Sequence, residues 1–337
     1  MANKIEWLQL PGYIAETWNP VTGCTKISEG CANCWAEKMS KRMAGRYGYP
    51  ISEPFAVTRH RDKYFEPFSW RNPRMVFVGS MGDLFHEDVP FDLIHELFDI
   101  MEDEENQKHL FLILTKRARR MQIFFRDRYE RNQGKVFDNI WAGVSVENQL
   151  RANERLYWLM MTAAHKRFVS AEPLLSSIQL NSILWRKHLQ INALSGLFVG
   201  KYMPENPHHG DKLDWVIVGG ESGPNARPMH PDWVRSIRDQ CKKTETPFFF
   251  KQWGAWRPSG DNDKSNINNF TWISTYGKTE HPLKEYFTDI NAHHELMFKT
   301  GKKHAGRKLD GREHNEYPTV ETRHCLVSVS EKKEDIT

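Results

Sequence analysis

The chain has 337 residues, and its 47 Lys and Arg against 43 Asp and Glu leave a formal charge of +4. A mean hydropathy of −0.66, with no apolar run of about 18 residues, excludes a membrane-spanning helix. The near-balance of charge permits nucleic-acid contact without demanding it, and the polar start Met1-Ala2-Asn3-Lys4-Ile5-Glu6-Trp7 has no signal core, so the expected location is the cytoplasm.

Ile14–Trp18 reads as a first strand. Short apolar runs then recur at 76–80, 110–114, 140–144, 167–170, 215–218 and 247–250. Continuous runs of four to six apolar residues are typical of strands buried on both faces, as in parallel sheets. Helical spacing fills the intervals. Phe91, Ile94, Leu97, Phe98 and Met101 follow Pro90, and Trp233, Ile237 and Cys241 follow Pro231-Asp232, which makes Cys241 a core thiol. The alternation predicts parallel βαβ units. The expected fold is a complete or partial (β/α) barrel with about seven parallel strands. Periodicity alone does not separate it from a doubly wound open sheet. The barrel is expected over 1–255, with an insertion at 180–212 between strands five and six. A loop-rich extension packed on the barrel is expected over 256–322, and a disordered tail over 323–337.

In either α/β architecture, residues at the C-terminal strand tips converge on one site. Here those tips carry Cys24, Asp83, Lys116, Ser145, Glu147, Glu172, Glu221, Lys251 and Gln252. The ordinary role of such residues is to cap the following helix. Gly219-Gly220-Glu221 is not a dinucleotide fingerprint, because the third glycine is absent.

Three of the five cysteines, Cys24, Cys31 and Cys34, fall within eleven residues. An odd cysteine count with no export signal argues against a disulfide framework. Soft thiolates favour zinc or iron–sulfur over calcium or magnesium. Three are one short of a closed zinc site, and are what a [4Fe–4S] cluster needs if one iron stays open. Gly23 and Gly30 precede Cys24 and Cys31, so the loop can turn its amides toward sulfur. The alternatives are a zinc knot completed by His60, His86 or His324-Cys325, and a redox pair at Cys31-Ala32-Asn33-Cys34.

The run Trp18-Asn19-Pro20-Val21-Thr22-Gly23-Cys24, with Gly30-Cys31-Ala32-Asn33-Cys34-Trp35-Ala36, resembles the phage Gp37/Gp68 family, also called the DUF5131 or three-Cys-motif family. The likeness covers nearly the whole chain. It continues through 77–86, Leu114-Thr115-Lys116-Arg117, 143–148, 170–174, 218–223, 250–254, 301–307 and 309–312. That family in turn resembles radical S-adenosylmethionine enzymes, although the cysteine gaps here are six and two rather than three and two. Asn33 also stands where an aromatic residue usually precedes the third cysteine.

The resemblance implies a TIM-like barrel of the radical-SAM type. It implies a [4Fe–4S] cluster on Cys24, Cys31 and Cys34, and S-adenosyl-L-methionine as cofactor. The expected function is generation of a 5′-deoxyadenosyl radical to modify an unknown substrate, of which nucleic acid or a nucleotide is one class. By position, Asp83 would hold the methionine amino group. Ser145 and Glu147 would meet the ribose or carboxylate, and Glu172 and Glu221 would line the adenosine or substrate side. Lys116, Glu221, Lys251 and Gln252 are the catalytic candidates. Implied partners are a three-Cys-motif partner protein and an electron donor of the flavodoxin or ferredoxin type, with no membrane. The late basic segment Lys302-Lys303…Arg307…Arg312 is a solvated loop or a phosphate-facing lip. The rival function is a zinc-binding, non-catalytic phage or prophage nucleic-acid-binding protein.

Overall fold

Seven strands pair side by side, all parallel, in chain order: β1 (Ile14–Trp18), β2 (Arg74–Val78), β3 (Leu110–Thr115), β4 (Ile140–Ser145), β5 (Lys166–Ala171), β6 (Trp215–Gly219) and β7 (Phe248–Gln252). They overlap the first strand and the six apolar runs read from the sequence. The computed structural model describes residues 5–186, 189–200, 208–259, 270–280 and 292–320; the tail expected beyond 322, with His324 and Cys325, lies outside them. A doubly wound sheet reverses its strand order at a switch point, and this one never does. The fold is therefore mixed α/β, built on a parallel seven-stranded sheet curled into a half-barrel. Among the described residues no ladder joins β1 to β7.

Alternation along the strands sorts two cores. Outward residues such as Val76, Val78, Phe111, Ile113, Val144, Val169, Val216 and Phe250 pack with the helices. These helices are α1 (Trp35–Met43), α2 (Phe91–Glu102), α3 (Ala118–Arg131), α4 (Gln149–Met160) and α5 (Pro231–Lys243). Inward residues Met75, Leu110, Leu112, Trp141, Phe168, Trp215, Ile217 and Phe249 form a second cluster. A Cβ at Gly143 would overlap the Phe168 ring, so only glycine lets that ring lie across β4.

The seam between the edge strands is filled by the 3-10 turn Glu6–Leu8, which packs on β1, β2 and β7. Its Trp7 ring lies 5.0 Å from Phe77, 6.1 Å from Trp215 and 6.4 Å from Phe168. The outer edge of β7 is covered by an antiparallel segment. Phe250 N donates to His314 O, Glu316 N donates to Phe248 O, and Asn315 bridges Phe249.

Between β5 and β6 a four-stranded antiparallel sheet replaces the crossover helix and packs on α4. Its strands are Ile183–Trp185, Leu189–Asn192, Leu197–Gly200 and His208–His209. The region read as loop-rich holds a second antiparallel sheet, in the order Trp256–Pro258, His294–Lys299, Phe270–Ser274 and Thr279–Glu280. Its strands are short and mostly half-buried, so charged and apolar residues mix without a readable period.

Candidate metal centre at the strand tips

Each inward row starts apolar and ends polar. Counting by two gives Trp141, Gly143, Ser145 and Glu147 on β4, Phe168, Ser170 and Glu172 on β5, and Trp215, Ile217, Gly219 and Glu221 on β6. Leu114 leads to Lys116, and Phe249 to Lys251. The inner face is thus an aromatic floor beneath a polar mouth.

The cysteine loop is laid across that mouth and fastened to four tips. At β4, Glu147 is fully buried; its Oε2 accepts from Arg155 at 2.9 Å and its Oε1 from Ser28 at 2.8 Å, with Lys116 Nζ at 3.6 Å. A Cβ at Gly30 would overlap this carboxylate, so the glycine is what lets the loop sit down. The adjacent Glu29 accepts from Asn148 and from Arg151 at 3.0 Å. Burial opposes its ionisation, but hydrogen bonds from its own backbone, Asn148 and Arg151 prevail and hold its pKa at about 2. At β6, Arg227 grips both oxygens of Glu221 at 2.7 and 2.9 Å and donates to Glu29 O at 3.0 Å. Asn33 donates to Asn225 O at 2.8 Å.

At β2 and β3 the fastening is ionic and buried. Asp83 Oδ1 accepts from Thr115 Oγ1 at 2.7 Å and Phe85 N at 3.0 Å. Its Oδ2 accepts from Arg117 at 3.1 Å and Lys116 N at 3.3 Å. Arg117 also donates to Glu87 at 2.7 Å, to Thr25 Oγ1 at 2.8 Å and to Cys24 Sγ at 3.3 Å. Removing a charge from water is costly unless it is paired, and Asp83 and Arg117 answer each other.

Cys24, Cys31 and Cys34 are free thiols, each partly exposed. Burial pushes the Cys24 thiol up to about 11, helped by the nearby Asp83 charge and opposed by Arg117. For Cys31 burial acts upward too. A backbone hydrogen bond at Ile27, the Lys116 charge and the Ser28 hydroxyl outweigh it, so its thiol lies below the ordinary value. The three sulfurs do not all lie within 4.8 Å of one another. A single tetrahedral zinc with bonds of about 2.3 Å would draw them to about 3.8 Å, whereas a cluster offers a separate iron to each thiolate. Three free thiols are a donor set that a cluster would take, or a zinc ion with a fourth ligand. His60 and His86, two of the completions read for zinc, are hydrogen-bonded to Thr22 at 2.8 Å and Thr25 at 2.9 Å.

The remaining tip residues divide. Lys251 pairs with Glu172 at 2.6 Å, both half-buried, bridging β7 to β5. Gln252 is buried and donates to Gly220 O at 3.0 Å. Ser145 is buried and caps no helix; Asn148 caps α4, accepting from Arg151 N at 3.0 Å. Cys241 is fully buried in α5. Asp83, implied to meet a cofactor amino group, accepts hydrogen bonds from Arg117, Thr115 and two backbone amides. Glu147 and Glu221 are likewise occupied by Arg155 and Arg227. The anchoring cations Arg117, Arg151, Arg155 and Arg227, and the acid Glu29, were absent from the sequence-derived site. An arginine six or eight residues after an acidic tip was the signal in two cases, Glu147…Arg155 and Glu221…Arg227.

Among the described residues one other group could gather an ion: His230, Asp232 and His293. His230 Nδ1 already accepts from Asp232 N at 3.1 Å as the cap of α5, and Asp232 pairs with Arg235 at 2.8 Å. The late basic segment is engaged as well, Lys302 with Glu6 at 2.8 Å and Arg307 with Glu313 at 3.6 Å. No helix among the described residues is long and apolar enough to cross a membrane.

Comparison with curated proteins and with solved structures gave no match. One family model, described as a protein of unknown function (DUF5131), matches residues 2–318. With nearly its whole length matched, the chain belongs to the DUF5131 family.

Proposed function

We propose that this protein is a radical-SAM-type iron–sulfur enzyme, with Cys24, Cys31 and Cys34 holding a [4Fe–4S] cluster whose fourth iron is open. The observation that carries the reading is the docking of one three-thiol loop across four strand tips, over a polar mouth, with a buried arginine donating to Cys24. When bound, such a cluster supplies one electron to S-adenosylmethionine, whose adenosyl group then serves in hydrogen abstraction.

This chain's residues do the positioning. Glu147 and Glu221, held by Arg155 and Arg227, fix the Ser28–Asn33 arc. Asp83 orients Arg117 toward Cys24. Glu172, Lys251, Lys116 and Ser145 remain at the polar mouth, and the Lys251–Glu172 pair offers both charges to an amino-acid moiety. The aromatic floor keeps water from the base.

The test is anaerobic reconstitution with iron and sulfide. The wild type and Cys241→Ala should take up iron and show the broad visible absorbance of thiolate–iron charge transfer. Cys24→Ala, Cys31→Ala and Cys34→Ala should each lose it. One tightly held zinc per chain with no such absorbance would favour the zinc-stabilised binding protein instead.

A further inference from the structure

Helix α1 begins immediately after Cys34 and has two unlike faces. Ala36, Met39 and Met43 pack with Tyr49, Met81 and Phe55. Trp35, Lys38 and Arg42, at i, i+3 and i+7, share the neighbouring face. Trp35 is 60 % exposed, with Tyr47 at 74 % a turn beyond the helix. The face belongs to the mouth: Lys38 Nζ lies against Gly223, in the loop that follows Glu221, and Asn33 is tied to the same loop.

The charges here differ from those elsewhere on the rim. Lys26 and Lys41 both pair with the one carboxylate of Glu37, at 3.0 and 2.9 Å. The late basic segment pairs Lys302 and Arg307 with acids. Lys38 and Arg42 make no ion pair among the described residues. Two cations without an ion pair among the described residues flank one solvent-facing indole. A base needs only an aromatic face, and its phosphates need only nearby cations.

We propose that the outer face of α1, presented by Trp35, Lys38 and Arg42, binds single-stranded nucleic acid, with a base stacked on Trp35 and phosphates facing the two cations. This deepens the enzymatic reading by naming the substrate class, and it places the strand beside the three thiols. The contacts are general to any base, so affinity is salt-dependent and weakly selective for sequence.

Fluorescence anisotropy with labelled mixed-sequence single-stranded RNA and DNA tests this. The measurement is made on protein with and without reconstituted iron, and iron is assayed separately, so binding and cluster can fail independently. The wild type should bind single strands better than duplex in both forms. Trp35→Ala should weaken binding by about tenfold or more, since stacking on an aromatic is sequence-tolerant but strong. Lys38→Glu/Arg42→Glu should weaken it similarly and flatten the salt dependence by about 1.4 in log–log slope, for two lost phosphate contacts. Unchanged circular dichroism should accompany both, because Trp35 and Arg42 are exposed and half-buried Lys38 makes no ion pair among the described residues. The proposal is overturned by no binding to either strand, by affinities unchanged in both variants, or by equal binding of poly-glutamate that survives Trp35→Ala, which would mark an acidic protein partner.

Discussion

Arg117 Nη1 lies 3.3 Å from the Cys24 sulfur and 3.1 Å from Asp83 Oδ2, so one buried nitrogen serves the cysteine loop and the strand-tip acid together. Removing one member of a buried pair costs more than the pair contributes, because the survivor is left charged and dry. Arg117→Met should lower stability in urea by roughly 3–5 kcal/mol. The double variant Arg117→Met/Asp83→Asn should recover part of that. A single-variant loss within about 0.5 kcal/mol, the range of an ordinary surface change, would show that the network is not structural.

Asp83→Asn alone separates the two roles offered for this residue. Its carboxylate accepts from Thr115, Arg117 and two backbone amides. The expected outcome is a stability loss of about 1–3 kcal/mol, from weakened charge-assisted bonds, with reduced iron retention. Glu172→Gln should instead leave iron and stability nearly unchanged and weaken S-adenosylmethionine in a calorimetric titration. The reverse pattern would return Asp83 to the cofactor.

Glycines set the height of the cysteine loop. At Gly30 a methyl would overlap Glu147, and at Gly23, with φ of +87°, it would overlap the Ala56 carbonyl. Gly30→Ala should cost about 1–3 kcal/mol, as overpacking does, and should lower iron uptake because the loop lifts. Gly23→Ala adds backbone strain to the clash and should lower the Tm further. Equal Tm values for wild type and Gly23→Ala would refute the close approach.

His109 predicts an acid-labile fold. It is fully buried, and burial first, then Lys108 and Arg74, depress its pKa to about 4. Its Nδ1 accepts from Arg74 N at 3.1 Å. Between pH 6.5 and about 4 the unfolded chain binds the proton and the folded chain does not. Stability therefore falls as pH falls through that window, by at most about 1.4 kcal/mol per pH unit for this group, and is flat above it. His109→Asn keeps an acceptor for Arg74 and removes the titration. Urea midpoints measured from pH 7 to 4 should show a shallower slope for the variant; parallel slopes would exclude His109 as the source.

The strands were legible because a parallel strand buried on both faces must be apolar throughout, and runs such as Leu110–Leu114 leave no other reading. Their order was not legible, because the choice between a curled and a doubly wound sheet lies in pairing, which a one-strand period does not record. Glu147, Glu172 and Glu221 were found as acids at strand ends. Lys251, the partner of Glu172, was found with them, but the anchoring arginines were missed: one such as Arg117 reads as a solvated helix start until Asp83, 34 residues earlier, is seen beside it. The antiparallel sheet that includes Phe270–Ser274 escaped for a different reason: a short, half-wet strand has almost no period to detect.

The Glu6–Leu8 turn has a mechanical consequence. A fully closed barrel fixes its girth by hydrogen-bond stagger, and changing that girth means re-registering every strand. Here β1 and β7 are held apart by an indole, Trp7, packed against Phe77 and Trp215. The width of this seam is therefore a matter of side-chain volume at one position, adjustable by substitution at Trp7 without moving a single backbone pairing.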